Sequence, residues 1–200
     1  MVKGMGMSQV VTTIQPMRSL AAAGVERPSI EQVWEWLAEI PDPEIPAVSV
    51  VDLGIVRDVA WSEDEAETLR VTVTPTYSGC PATDVIGQQI RTQLLDRGIE
   101  KVDLRVQLSP AWTTDWLTDV ARKKLRDYGI APPTEEAATA GDALAASLVM
   151  LGNQPHKHVL ACPRCNSTHN EMISRFGSTP CKSLHRCLNC REPFEHFKCH

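Results

Sequence analysis

The sequence has no apolar run that approaches the roughly 20 residues needed to cross a lipid bilayer. Residues 1–28 also lack the continuous apolar block of a secretory signal, and we expect them to form a disordered tail. These two absences predict a cytoplasmic protein that has no membrane partner.

Histidine is absent from residues 1–155, and the chain contains neither a phosphate-binding glycine loop nor a dinucleotide fingerprint. A Cys–His pair of nucleophile and base is therefore excluded from the first part of the chain. We therefore expect no catalytic residues. The net charge of −5 also argues against nucleic acid as a partner.

Hydrophobic periodicity predicts an α+β domain over residues 29–131, with the element order α-β-β-α-β-α and a three-stranded sheet. Ser29 and Gln32 have the spacing of a capping box and predict the start of the first helix. The elements expected after that helix are strands at 49–61 and 68–77, a helix at 82–97, a strand at 101–109 and a helix from Thr114 to Tyr128.

Six of the seven cysteines lie in the last forty residues, within a module that we place at 158–200 after a linker of residues 132–157. An odd number of cysteines in a cytoplasmic chain favours metal binding over disulfides. The module contains two C-x2-C pairs, whose members are Cys162, Cys165, Cys187 and Cys190. Four thiolates at this spacing suit a structural Zn²⁺, which would supply the folding energy that so small a core lacks. An iron–sulfur cluster at the same four cysteines is the alternative.

Cys181 and Cys199 are the two cysteines of this module that the pairs do not use. Each is either a buried apolar thiol or part of an additional metal or transfer site, with help from the histidines of the module. The same region contains Phe194 and Phe197, which we expect to form the small core of the module.

Cys80 lies far from the other cysteines in sequence, between a predicted strand and a predicted helix. Proline is favoured at the first position of a helix, so Pro81 predicts that Cys80 lies near the N-cap. The partial positive charge of the helix end should then lower the pKa of the thiol, which could serve as a metal ligand or a nucleophile. The alternative is a small buried residue that tolerates the turn.

Asp42 and Glu44 belong to the proline-rich segment PDPEIP, which is stiff enough to hold them near Cys80. Carboxylates beside a thiolate could bind a hard or borderline metal. Alternatively, Asp42 caps a turn and Glu44 is solvated.

Three segments of the chain resemble the SufT-type iron–sulfur assembly domain over about residues 29–131. They are DPEIPAVSVVDLGIVRDV, TPTYSGCPATD and the run from LSPAWTTDWLT to LRDYGI. When CPRCNST and FGSTPCKSLHRCLNCREPFEHFKCH are added, the chain is similar to the PaaD (PaaJ) family of the bacterial phenylacetate pathway along nearly its whole length after the tail.

The resemblance implies a non-catalytic accessory protein of aerobic phenylacetate degradation. Such a protein assists the assembly of an iron–sulfur or di-iron centre of the phenylacetyl-CoA epoxidase. The resemblance also implies the oxygenase and reductase subunits as partners, and a transient iron ion or iron–sulfur cluster in addition to structural zinc. By the family's pattern Cys80 is the motif cysteine, Asp42 and Glu44 are the motif acids, and Thr76 is one of the threonines before the cysteine.

Two further hypotheses follow from the same residues. A homodimer could share one cluster between two copies of Cys80. The competing function is a structural adaptor that holds the oxygenase and reductase subunits together through the zinc module.

Overall fold

A computed structural model describes residues 27–133 and 160–198. Most of the predicted tail and linker, and Cys199, lie outside the described residues. None of the described helices combines the length and the apolar character that a membrane span requires.

The elements in chain order are α1 (Ile30–Ala38), β1 (Val56–Trp61), β2 (Thr68–Val73), α2 (Ala82–Asp96), β3 (Lys101–Val106), a 3-10 turn (Thr114–Trp116), α3 (Asp119–Tyr128), β4 (Ile130–Ala131), β5 (Asn170–Ser174), β6 (Lys182–Cys187) and β7 (Pro193–Phe197).

The first helix begins where the capping box predicts. The Ser29 hydroxyl accepts the N–H of Gln32 at 3.2 Å, and the Gln32 side chain accepts the N–H of Ser29 at 3.0 Å. These bonds satisfy backbone donors that a helix start otherwise leaves without partners. Val33 and Leu37 then recur on the buried face of α1 and pack into the core.

The predicted α+β fold with a three-stranded sheet is confirmed. Strands β1 and β2 are antiparallel and are joined by a short polar turn, whereas β2 and β3 are parallel. A parallel pair needs a crossover connection, and α2 supplies it. Helix α2 buries Ile86, Ile90 and Leu94 in the core of this first domain.

Strand β1 is shorter than the apolar run from 49 to 61 predicts, because the run starts in a turn. The Ser49 N–H donates to Asp52 Oδ2 at 3.0 Å, and the Asp52 N–H donates to Ser49 Oγ at 3.0 Å. Gly54 follows with a φ of +65°, which residues with a side chain rarely adopt. The extended strand therefore begins only at Val56.

The prediction of one helix from Thr114 to Tyr128 is wrong at its beginning. Thr114–Trp116 is a single 3-10 turn, and Leu117 and Thr118 are extended. The Thr118 hydroxyl accepts the N–H of Ala121 at 3.0 Å, so α3 starts at Asp119.

The loop between β3 and α3 packs back onto the turn before β1. The indole N–H of Trp112 donates to the Leu53 carbonyl at 2.8 Å, and Trp112 is buried. Gly54 permits this approach, since a Cβ atom there would lie 2.5 Å from the carbonyl oxygen of Trp116. The contact positions the Trp112 ring beside the C-terminal ribbon.

The second sheet crosses the boundary expected between the two modules. Its strand order is β4-β7-β6-β5, and β4 comes from the end of the first domain. Ile130 pairs with Glu195 and Ala131 pairs with His196, in parallel register. The ribbon is therefore attached to the first domain by backbone hydrogen bonds as well as by side-chain packing.

The prediction that Phe194 and Phe197 together form the ribbon core holds for Phe194 only. Phe194 packs with Leu160, Cys162 and Cys187 in a small separate cluster. Phe197 lies three positions further along β7, so the alternation of a strand turns it to the other face. It is 1% exposed and joins the core of the first domain.

Phe197 makes an edge-to-face contact with Trp112, with ring centroids 5.9 Å apart. This geometry is favourable for aromatic pairs beyond the area that they bury. Cys181, which directly precedes β6, belongs to the same core. The first domain and the ribbon thus share one hydrophobic core.

We predict that Phe197→Ala lowers the free energy of unfolding of the full chain by about 3 kcal/mol, because it removes a buried ring from this shared core. Phe176→Ala is the matched control, since Phe176 is 65% exposed, and it should cost less than about 0.5 kcal/mol. Urea unfolding followed by circular dichroism measures both. Equal stability of the two variants would contradict a shared core.

Candidate functional site

The four cysteines of the two C-x2-C pairs come together in the ribbon, with all four Sγ atoms within 4.8 Å of one another. The Cys162–Cys190 sulfur distance is 3.8 Å and the Cys165–Cys187 distance is 3.5 Å. A tetrahedral ion with zinc–sulfur bonds of about 2.3 Å requires sulfurs about 3.8 Å apart. The donor set and its spacing therefore fit a structural zinc ion.

Two turns of the same shape present these sulfurs. In the first, the Asn166 N–H donates to the Cys162 carbonyl at 2.9 Å, and in the second the Arg191 N–H donates to the Cys187 carbonyl at 3.0 Å. Asn166 and Arg191 have φ values of 59° and 66°, which let the chain turn sharply after each pair. Each turn directs its two thiols toward the same point.

Backbone N–H groups prepare one of these thiols for metal binding. The Cys190 N–H donates to Cys187 Sγ at 3.5 Å. This bond, assisted by the Asn189 N–H, lowers the pKa of Cys187 to about 6. These N–H groups thus favour the thiolate, the form in which cysteine binds metals.

A separate pocket of about 20 Å³ lies where the first domain meets the ribbon. Cys80, Asp42, Glu44 and Thr76 all line it, and the structure thereby brings together four residues that the sequence analysis singled out. Most of the remaining wall is aliphatic. A volume of this size accommodates a water molecule or one small ion, but not an organic substrate.

Asp42 shapes the loop that forms one side of the pocket. Its Oδ1 accepts the N–H groups of Glu44 at 2.9 Å and Ile45 at 2.8 Å, and its own N–H donates to the Val48 carbonyl at 2.8 Å. Burial raises the pKa of the Asp42 carboxyl, although these N–H groups act in the opposite direction. Asp42 therefore caps a turn, as one of the two alternatives predicts.

Glu44 is not simply solvated. Its Oε2 accepts the S–H of Cys181 at 3.4 Å, a contact between the first domain and the ribbon. Cys181 is 3% exposed and also lies 3.0 Å from the Thr179 hydroxyl. Burial raises the pKa of Cys181 to about 12, and the negative charge of Glu44 acts in the same direction. Without a bound cation, Cys181 is therefore a neutral thiol.

Cys80 is half-buried, one residue before Pro81, the N-cap of α2. The expected lowering of its pKa by the helix end is wrong. Burial raises the pKa of Cys80 and the charges of Glu44 and Asp42 add to this rise, so together they outweigh the backbone N–H of Ala82. The sulfur lies in the pocket beside both acids and retains partial access to solvent.

Sequence reasoning missed Tyr77, and it named Cys181 as a candidate for a further metal or transfer site without placing it at this pocket. Tyr77 lies beside Cys80 and Glu44, and burial followed by the nearby Cys80 raises its pKa to about 12. Its position three residues before Cys80 was the available signal. Cys181 lines the pocket as well, but it contacts Glu44 across 137 positions of sequence, which no local pattern reveals.

The two candidate sites differ in how closely their ligand atoms approach. In residues 27–133 and 160–198, only the four ribbon cysteines place three or more potential ligand atoms within 4.8 Å of one another. The potential ligand atoms of the pocket are therefore more widely spaced than those of a preformed site. Closed four-thiolate sites hold metal firmly, whereas sites with an open position exchange their ligands.

We predict that Asp42→Ala destabilises the protein by about 1 to 3 kcal/mol, because two N–H groups lose their acceptor. Asp42→Asn, the matched control, retains an acceptor oxygen and should cost less. Burial raises the pKa of Asp42 in the folded protein above the ordinary value of 3.8. The free energy of unfolding of the wild type therefore falls as the pH rises from 3.8 through the folded pKa. Asp42→Asn has no carboxyl group at this position and should not show this fall. Urea unfolding across this range measures both effects, and equal costs for the two variants would contradict the capping role.

We predict one zinc ion per chain in the purified protein and none in Cys187→Ser. That variant should also lose amide protection in β5–β7, because the cluster around Phe194 is too small to hold the ribbon without metal. Metal analysis and hydrogen exchange measure these outcomes, with Cys80→Ser as a control that retains zinc and protection. A brown wild-type sample that contains sulfide would instead indicate an iron–sulfur cluster.

Comparison with known proteins matches both parts of the chain. Residues 30–103 match the model of the family described as "Iron-sulfur cluster assembly protein", and residues 149–198 match the "PaaD zinc beta ribbon domain". The crystal structure of "Domain of Unknown Function DUF59" from Bacillus anthracis has a TM-score of 0.43 and 26% identity, and it covers 48% of this chain and 89% of its own.

Two curated relatives extend this result. The "Fe-S protein maturation auxiliary factor" of Porphyromonas gingivalis is 33% identical over 48% of this chain and 89% of its own length. An Escherichia coli protein, named as a putative subunit of 1,2-phenylacetyl-CoA epoxidase, is 44% identical over 88% of this chain and 97% of its own length. The chain thus combines an iron–sulfur assembly domain with a PaaD zinc ribbon, and it matches the Escherichia coli protein over almost the whole length of that protein. The protein therefore belongs to the PaaD family of phenylacetyl-CoA epoxidase subunits.

Proposed function

We propose that this protein is a cytoplasmic maturation subunit of the phenylacetyl-CoA epoxidase system, which binds a metal ion at the Cys80 pocket and delivers it to a partner. The observation that carries the proposal is the half-buried Cys80 thiol, placed beside Glu44 in a pocket of about 20 Å³. The names of the curated relatives support both the epoxidase system and the maturation role. The receiving centre is the iron–sulfur cluster of the reductase or the di-iron site of the oxygenase.

The chemistry of the pocket suits transfer of an ion better than catalysis. Its volume is too small for a coenzyme A thioester. None of the described residues that line it is a histidine, so Cys80 has no neutral base to activate it for nucleophilic attack. A thiol beside carboxylates can still bind a borderline metal ion when the thiol proton leaves.

The ribbon has a different role in this proposal. Its four closely spaced thiols hold zinc permanently, and the ion stabilises the surface that docks onto the oxygenase or the reductase. The ribbon also shares its core with the first domain through Phe197, so it fixes one wall of the pocket.

The alternative function is a structural adaptor that acts through the ribbon alone. One observation favours it: Met172, Ile173 and Phe176 on and next to the edge strand β5 are each more than half exposed. Clustered exposed apolar side chains mark protein-binding surfaces. An adaptor needs this surface and does not need Cys80.

We predict that Cys80→Ala keeps the fold and the zinc content but lowers the iron content and the activity of epoxidase subunits co-expressed with it by at least about tenfold. Gly79→Ala is the matched control, because a Cβ there would have no neighbouring atom within 4 Å. Iron analysis of the purified partners and epoxidase turnover measure the effect.

The adaptor function predicts the opposite pattern. Replacement of Met172, Ile173 and Phe176 by serine would then abolish association of the subunits in a pull-down, and Cys80→Ala would leave both iron content and turnover at the wild-type level. That second result alone would reject the maturation function.

A further inference from the structure

We infer that Cys181 of the ribbon is the second thiol ligand of the Cys80 pocket, so that Cys80, Cys181 and Glu44 together bind one thiophilic divalent cation such as Fe²⁺. This inference rests on the proposed function and specifies the site on which that function would depend. In this site the first domain supplies Cys80 and Glu44, and the ribbon supplies Cys181.

Glu44 interacts with both thiols of the pocket. Its Oε2 accepts the S–H of Cys181 at 3.4 Å, and its charge acts on Cys80 from within the same pocket. Cys80, Glu44 and Cys181 all line this pocket, and all three contribute to the raised pKa of Tyr77. A cation in the pocket would thus meet two sulfurs and one carboxylate oxygen.

The surroundings of Cys181 are unusual for a cysteine that only fills space. It is 3% exposed, yet its sulfur faces a carboxylate and a threonine hydroxyl rather than hydrocarbon alone. Burying the Cys181 thiol beside a carboxylate disfavours its ionisation, because the thiolate would be poorly solvated and would be repelled by the charge of Glu44. A cation that displaces the thiol proton reverses this effect, since the thiolate and the carboxylate then share a positive partner.

The composition and size of the site determine which ions it takes. Two thiolates select borderline and soft cations, and a carboxylate oxygen is compatible with Fe²⁺, Co²⁺ and Zn²⁺. The volume of about 20 Å³ admits one ion and excludes a preassembled multinuclear cluster. Three protein ligands leave the fourth position of a tetrahedral ion free, where a ligand of the receiving protein can enter.

Binding is balanced in protons and charge. A divalent cation replaces one proton on Cys80 and one on Cys181, and both protons pass to solvent. The ligand atoms must also move closer than they are in the described structure, because these three do not lie within 4.8 Å of one another. The movement costs part of the binding free energy and keeps the site exchangeable.

The test uses the full chain with zinc in the ribbon, under anaerobic and reducing conditions, titrated with Co²⁺. Zinc binds such sites more tightly than cobalt, so Co²⁺ should enter only the second site. We predict one further Co²⁺ per chain, with the sulfur-to-cobalt charge-transfer absorption of two thiolates. Cys80→Ser and Cys181→Ser should each halve this absorption and raise the Kd at least about tenfold.

Glu44→Gln should retain the absorption, which comes from sulfur, while it raises the Kd. Glu63→Gln is its matched control, because Glu63 is an exposed acid remote from the pocket lining, and it should change neither quantity. Zinc content and the unfolding midpoint show that each variant is folded. The Cys80→Ser arm leaves Cys181 unchanged, so a poorly folded Cys181→Ser protein cannot obscure the result.

No residual absorption in Cys80→Ser, or wild-type absorption and Kd in folded Cys181→Ser, would overturn the inference. Its failure is distinguishable from failure of the proposed function. Two-thiolate cobalt binding together with full epoxidase maturation by Cys80→Ala would reject the function and retain the site. Cobalt binding through a single thiolate, together with failed maturation by Cys80→Ala, would reject the proposed site and retain the function.

Discussion

The burial of Phe197 against Trp112 determines where the ribbon lies on the first domain, and the geometry of the pocket depends on that position. Trp112 is itself held by its hydrogen bond to the Leu53 carbonyl, in the turn that leads into β1. With the ribbon held there, and with β4 paired to β7, Cys181 lies against Glu44 instead of facing solvent. A packing contact without any chemistry of its own thus positions the groups that carry chemistry.

Two kinds of cysteine environment occur within a short stretch of this chain. The sulfur–sulfur distances in the ribbon are close to those of a tetrahedral zinc site. Backbone N–H groups already favour a thiolate at Cys187. Burial and neighbouring carboxylates favour the protonated form of Cys80 and Cys181. The first environment favours permanent binding, and the second favours binding only while the cation offsets the desolvation of its ligands.

Local patterns were sufficient for much of the fold. The capping box at Ser29 and the Cys-x2-Cys turns are determined by residues three or four positions apart, so the sequence predicts them directly. The start of α3 was missed because an amphipathic pattern continues through Leu117, although Thr118 offered a capping signal. The face of Phe197 and the position of Cys181 depend on how two modules dock, and no periodicity within either module contains that information.

Strand β6 links the two sites mechanically, because Cys187 is its last residue and Cys181 directly precedes its first. A strand of this length spans about 20 Å and remains extended only while its neighbours in the sheet are in place. With the proposed ligands, the chain therefore acquires its metals in a fixed order, zinc before the transferred ion. On the proposed function, a cell starved of zinc would also lose iron delivery by this protein, even when iron is plentiful.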